Sequence, residues 1–267
     1  MLRKPVVNGQ FYPADKKKLT AAIGALIPQA ASKISAKGLI LPHAGYAYSG
    51  AVAAATVAKV LPKKRLIILG NNHSGLGTSF ALWSEGEWET PFGSIKIDEK
   101  LAKTILERSD LIKSDCLAHV AEHSIEVQLP IVSYCFGEFQ FVPIACRISS
   151  LEIYREVAEQ LFEAVKNIKN EILMIATSDL THYEPDSAAR RKDSMLIESI
   201  INLDEGDMLK KIKKEDISAC GEAPVAILIS CLKKMGAKKS QVIRYQTSAD
   251  TSGDATSVVG YAGIVIN

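Results

Sequence analysis

Five runs of strand length, apolar on both alternating faces, constrain this chain more than any other feature. They are Gly38-Leu-Ile-Leu, Arg65-Leu-Ile-Ile-Leu, Phe139-Gln-Phe-Val-Pro-Ile, Glu171-Ile-Leu-Met-Ile-Ala and the closing Ser257-Val-Val-Gly-Tyr-Ala-Gly-Ile-Val-Ile. A strand with one face in water alternates apolar and polar residues. A strand without that alternation needs cover on both faces. The cover is at hand, because an alanine-rich helical stretch falls near 50–60 and amphipathic helical patterns fall near 151–168, 187–201 and 222–235. Such βα alternation predicts a three-layer α/β/α fold around a central, mostly parallel or mixed sheet. The stretch 88–97 carries Pro91 and Gly93 at its middle and reads as a hairpin or an extended loop. No linker or repeat divides the chain, so residues 1–267 are expected to form one domain.

Composition narrows the function classes. Hydrophobic residues make up 47% of the 267, enough for a core that needs neither disulfides nor a structural metal. The 32 basic and 30 acidic residues leave a net charge of +2, which argues against nucleic acid or an anionic membrane surface as a general partner. The five cysteines, Cys116, Cys135, Cys146, Cys220 and Cys231, are odd in number and widely spaced, with no CxxC pair. A disulfide framework is not expected, and a reducing cytoplasm is. Neither a signal-peptide core nor an apolar run of membrane-spanning length occurs.

Polar residues gather just beyond the apolar runs. His43 follows the first directly, His73 follows the second after Gly-Asn-Asn, and Asp179 and His182 follow the fourth. Ligands of open α/β sheets bind at the carboxyl ends of strands, so these side chains are expected to share a crevice. Each also has an ordinary reading. His43 suits a buried imidazole bonded to a carbonyl, and His73 suits a polar turn. Asp179 suits a helix cap, with His182 returning to the same side after one helical turn. Cys220 precedes the last helical pattern, where the helix dipole stabilises a thiolate able to bind metal or attack as a nucleophile. The ordinary alternative is a small buried residue. His119-Val-Ala-Glu-His-Ser-Ile-Glu126 is not HExxH. On a helix it forms a solvated face, unless Glu122, His123 or Glu126 leans into the pocket to support a ligand or move a proton.

These segments resemble a known family. Val7-Asn-Gly-Gln-Phe-Tyr-Pro13, Leu41-Pro-His-Ala-Gly-Tyr-Ala-Tyr-Ser-Gly50, Leu69-Gly-Asn-Asn-His-Ser-Gly75 and Thr90-Pro-Phe-Gly93 come first. Glu122-His-Ser-Ile-Glu-Val-Gln-Leu-Pro130, Thr177-Ser-Asp-Leu-Thr-His-Tyr183, Ala219-Cys-Gly221 and Val259-Gly-Tyr-Ala262 follow in order. The set is similar to the Memo-like proteins, also called system protein B of the AmmeMemoRadiSam set, which share their fold with class III extradiol dioxygenases. The resemblance implies His43, His73 and Cys220 as metal ligands, with Asp179 and His182 as the other pocket residues and His182 in the acid–base position. Ferrous iron is the implied metal, with copper or zinc as alternatives. A thiolate in place of the dioxygenase carboxylate is softer and oxidisable, so extradiol ring cleavage does not carry over.

Two functions are therefore expected to compete. One is a metal-dependent oxidoreductase of unknown substrate, in which His182 shuttles a proton, Asp179 orients it or binds metal, and His123 assists. The other is a non-catalytic protein that uses the pocket for a peptide or a partner, such as a radical-SAM protein suggested by the family's name. A hydrolase built on Ser74 or Ser178 is disfavoured, since the chain lacks a G-x-S-x-G elbow.

Overall fold

The computed structural model describes residues 1–28 and 32–267. In chain order the first half holds β1 (Leu2–Arg3), α1 (Lys16–Leu26), β2 (Gly38–Leu41), α2 (Tyr46–Ala58), β3 (Arg65–Asn71), β4 (Phe80–Leu82), β5 (Glu87–Thr90), β6 (Gly93–Lys96), α3 (Glu99–Arg108) and β7 (Lys113–Ser114). After a single 3-10 turn (Leu117–His119) come α4 (Gln128–Phe136), β8 (Gln140–Cys146), α5 (Leu151–Val165), β9 (Ile172–Thr177) and β10 (His182–Glu184). The chain ends with α6 (Asp186–Ile201), α7 (Glu205–Lys214), α8 (Glu222–Lys234), β11 (Ser240–Thr247), α9 (Ala249–Ser252) and β12 (Val258–Ile266).

The expected apolar runs become β2, β3, β8, β9 and β12, and they form the middle of one mixed sheet. Its order is β10-β12-β2-β9-β3-β8-β4-β7, with β11 also paired to β12. The four strands β2, β9, β3 and β8 run parallel, while β12 and β4 flank them antiparallel. Every residue of β2 and β9 is buried, which is what a sheet covered on both faces demands of its central strands. Helix α2 packs on β2, β11 and β12 with α1 and α4 beside it; α8 packs on β2, β3 and β9 with α5 and α7 behind it. The three-layer α/β architecture is thus the observed one. The stretch 88–97 is a hairpin, β5 against β6, and β1 adds to it in parallel.

Register levels the strand ends. Leu41 lies opposite Thr177, and Asn71 opposite Cys146. Because the four central strands share one direction, the segments after Leu41, Asn71, Cys146 and Thr177 all leave the sheet at the same edge.

The stretch 119–126 departs from the helix expected there. Beyond the 3-10 turn it is irregular, and helix resumes only at Gln128. Its polar side chains His119, Glu122, Ser124 and Glu126 are not solvated either, each being at most 2% exposed. Two carboxylates with no water need fixed donors, and an irregular path lets them reach donors that a helix face would not meet. Glu126 accepts from Val6 N, Val7 N, the Tyr12 hydroxyl and Arg3 Nη1, the last at 2.8 Å. Arg3 in turn donates to the carbonyls of His119 and Glu122 and lies 4.1 Å over the Trp88 ring. The first residues of the chain thereby fasten this stretch across the sheet edge.

Truncating one member of a buried ion pair strands its partner. Glu126→Ala is expected to lower the free energy of unfolding by about 3–5 kcal/mol, read from urea denaturation.

Candidate metal centre

At the levelled sheet edge the chain brings together His43 after β2, His73 after β3, the 119–126 stretch, Asp179 after β9 and Cys220 before α8. One ring nitrogen from each of His43, His73 and His123 lies within 4.8 Å of the other two. The His73 and His123 rings stack with centroids 5.0 Å apart, and His43 meets both edge-on at 5.3 and 5.6 Å. Phe11 closes the outer side of His123, with centroids at 5.0 Å. His123, expected only as a supporting group, therefore stands in the same cluster as the two strand-end histidines.

Glu122 organises two of the three. Its carboxylate accepts from the His73 backbone N–H at 2.7 Å and from His73 Nδ1 at 3.0 Å. It also accepts the backbone N–H groups of His123 and Ser124 at 3.0 and 2.9 Å. A carboxylate can only accept, so Nδ1 of His73 carries the proton and Nε2 presents its lone pair to the cluster. Burial works against the charge of both groups. The donors overcome it for Glu122, which is held at about 2, and Glu122 overcomes it for His73, whose pKa is raised. His43 goes the other way. Its complete burial, then the nearby His73 and His123, hold its pKa well below the ordinary imidazole range. Its Nδ1 is buried without a partner.

Cys220 Sγ lies 3.2 Å from His43 Nε2. Donor atoms sharing one tetrahedral ion, with metal–sulfur and metal–nitrogen bonds near 2.3 and 2.0 Å, stand about 3.5 Å apart. The contact fits such a pair. The α8 dipole was expected to favour the thiolate. Burial, followed by the charge of Asp179, instead pushes the Cys220 thiol up, so thiol and imidazole meet as neutral groups. Two glycines permit these approaches. A Cβ on Gly221 would strike the Ser178 side chain and the Thr177 carbonyl, and one on Gly70 would strike Ile125 and Ser124.

Asp179 and His182 take positions that differ from the expectation. No helical turn follows Asp179; His182 opens β10 against β12. The Asp179 carboxylate is buried and accepts the His43 backbone N–H at 2.7 Å, while its own N–H points at Cys220 Sγ at 3.3 Å. It ties the His43 loop to the Cys220 loop rather than orienting His182. Burial raises its pKa despite the His43 donor. His182 takes its orientation from Ser218: its backbone N–H reaches Ser218 Oγ at 2.8 Å, and Nδ1 faces the Ser218 carbonyl at 2.9 Å. Since a carbonyl only accepts, Nδ1 holds a proton in this contact. The next residue, Tyr183, is 80% exposed with φ +59°, at a register shift in the pairing with β12. Left-handed backbone is uncommon for a bulky side chain, and bulges of this kind re-aim side chains.

Asn71 and Ser218 escaped the sequence reading. Asn71 looked like a turn former, and no spacing singled out Ser218. Only the parallel register, which sets Asn71 level with Cys146 at the sheet edge, marks the asparagine as a pocket residue.

The Memo-like protein family matches residues 3–265 of this chain. The chain belongs to that family. Among curated relatives, a MEMO1 family protein of Methanopyrus kandleri is 41% identical over 99% of both chains, and one of Desulfurococcus amylolyticus is 40% identical over 98% of both. A MEMO1 family protein of Thermotoga neapolitana is 36% identical over the full length of both. A crystal structure of an uncharacterized protein from Escherichia coli K12 superposes with a TM-score of 0.57 at 11% identity, covering 85% of this chain and 98% of that one. That likeness is one of fold. Among the described residues, no helix is long and apolar enough to cross a membrane.

With Glu122 removed, nothing fixes the proton on His73 Nδ1. Long-range 15N–1H spectra are expected to show one tautomer of His73 in the unaltered protein and a mixture in Glu122→Ala, with the His73 pKa shifted down.

Proposed function

We propose that the chain is a metal-dependent redox protein that holds ferrous iron through His43, His73 and Cys220, with copper or zinc as competing ions. The observation that carries this reading is the meeting of three imidazoles at one sheet edge with the Cys220 thiol against one of them, His43, and the tautomer of His73 set by Glu122. Imidazole suits iron, copper and zinc alike, and a thiolate adds softness that favours a redox-active ion. When bound, such an ion supplies a Lewis acid and an electron donor or acceptor.

The chain's own residues have definite parts. Glu122 holds the His73 ring so that Nε2 faces inward, and outer partners of this kind matter for metal affinity almost as the ligands do. Asp179 keeps the His43 and Cys220 loops together. His123, stacked on His73, closes the pocket behind it and stands ready to exchange a proton, as a half-buried imidazole can. His182, with Nδ1 held by Ser218, acts as the general base for a substrate entering beside Tyr183.

Titration of anaerobically purified protein with Fe(II), and with Co(II) as a spectroscopic substitute, is expected to give one ion per chain. Equal metal content in the unaltered protein and a His43→Ala/His73→Ala variant would remove the proposal. Glu122→Ala should weaken binding about 10–100-fold. Cys220→Ser should abolish the sulfur-to-cobalt charge-transfer band, whereas His123→Gln should keep it; Co(II) binding without that band in the unaltered protein, lost in His123→Gln, would make His123 the third ligand.

A further inference from the structure

One polar side chain at the cluster has a role that neither the fold nor the ligand set uses. Asn71, the last residue of β3, is 4% exposed. Its amide nitrogen lies 3.2 Å from His73 Nε2, the nitrogen whose lone pair faces the pocket. A primary amide carries two N–H hydrogens, and this contact engages one of them. Its other end is unsatisfied, because Asn71 Oδ1 is buried with no hydrogen-bond partner. A buried acceptor without a partner is costly. An asparagine serving only as a turn former would not be expected to orphan its oxygen in order to point an N–H at an imidazole.

The backbone of Asn71 is fixed independently, since its N–H donates to Ser124 Oγ at 3.0 Å and β3 pairs with β8 up to this residue. The side chain can therefore rotate without moving the strand. The lone pair on His73 Nε2 serves either the amide or an ion, not both.

We propose that the Asn71 amide caps His73 Nε2 until an ion binds, and then, turned off the imidazole, donates an N–H to an anion entering the pocket beside it. Asn71 is on this view an anion-positioning residue, and the ligand class it selects is a small anion or an anionic oxygen of a larger substrate. No bond other than hydrogen bonds forms or breaks. The inference rests on the metal reading above and deepens it by naming the ligand class and the group that receives it.

Two effects of opposite sign are expected in Asn71→Ala. Co(II) affinity should rise about twofold to tenfold, the span of a lost neutral hydrogen bond that no longer competes. Azide, added to the Co(II)-loaded protein and followed by its visible spectrum, should bind about fivefold or more weakly for want of the amide donor. A residue that merely supported the fold would weaken both. In the unaltered protein, the Asn71 side-chain NH2 signals should move on Zn(II) addition and move again on azide addition, a readout independent of whether the variant folds. Failure of the unaltered protein to bind Co(II) defeats the metal reading and this inference with it. Retained Co(II) binding with an unchanged azide affinity in Asn71→Ala, or Asn71 signals indifferent to Zn(II), defeats the inference alone.

Discussion

Two carboxylates four residues apart, Glu122 and Glu126, hold the site in shape. Neither has access to water, and each must satisfy its oxygens with protein donors. Glu126 finds them in the amino-terminal segment, and Glu122 in His73 and its own following backbone. One carboxylate thus fastens the 119–126 stretch to the start of the chain, while the other fastens it to the end of β3. Arg3 closes the circuit through the carbonyls of His119 and Glu122. An irregular segment laid over a sheet edge would otherwise carry unpaired backbone groups, a loss that rarely survives in a folded core.

The electrostatics of the cluster follow from where those carboxylates sit. His73 touches Glu122 and is drawn toward the charged form, whereas His43, fully buried and facing two other imidazoles, is held neutral. Cys220, buried and then opposed by the charge of Asp179, is held as a thiol. Neutral imidazole, neutral thiol and buried carboxylate leave a pocket rich in electron pairs, and its only hydrogen-bonded cover on His73 Nε2 among the described residues is the amide of Asn71.

The fold was written in the sequence as apolar runs, and the strands that lacked such runs went unseen. Short strands such as β4, β7 and β10 carry too few residues for any periodicity, and β11 buries only its last two residues. The strand-end histidines were legible because parallel strands deliver their carboxyl ends to one edge, so position along the chain converts directly into position in space. His119–Glu126 allowed two readings, a helix with a wet face or groups leaning into the pocket, because spacing of three and four is shared by helices and by chance. What decides that segment is a partner 120 residues away, at Val6 and Arg3, which no local pattern contains. The same holds for the partner of Asp179: its bond reaches back to the backbone of His43 rather than forward to His182.

The contact between Cys220 and His43 spans 177 positions, and that between Asp179 and the His43 backbone spans 136. No contiguous piece shorter than the interval between residues 43 and 220 carries both a strand-end imidazole from β2 and the thiol. During synthesis both histidines and the acidic loop leave the ribosome well before the sulfur does, so the pocket passes through a stage with nitrogen donors alone. Whatever the finished protein selects by its thiol, the nascent chain must meet without it.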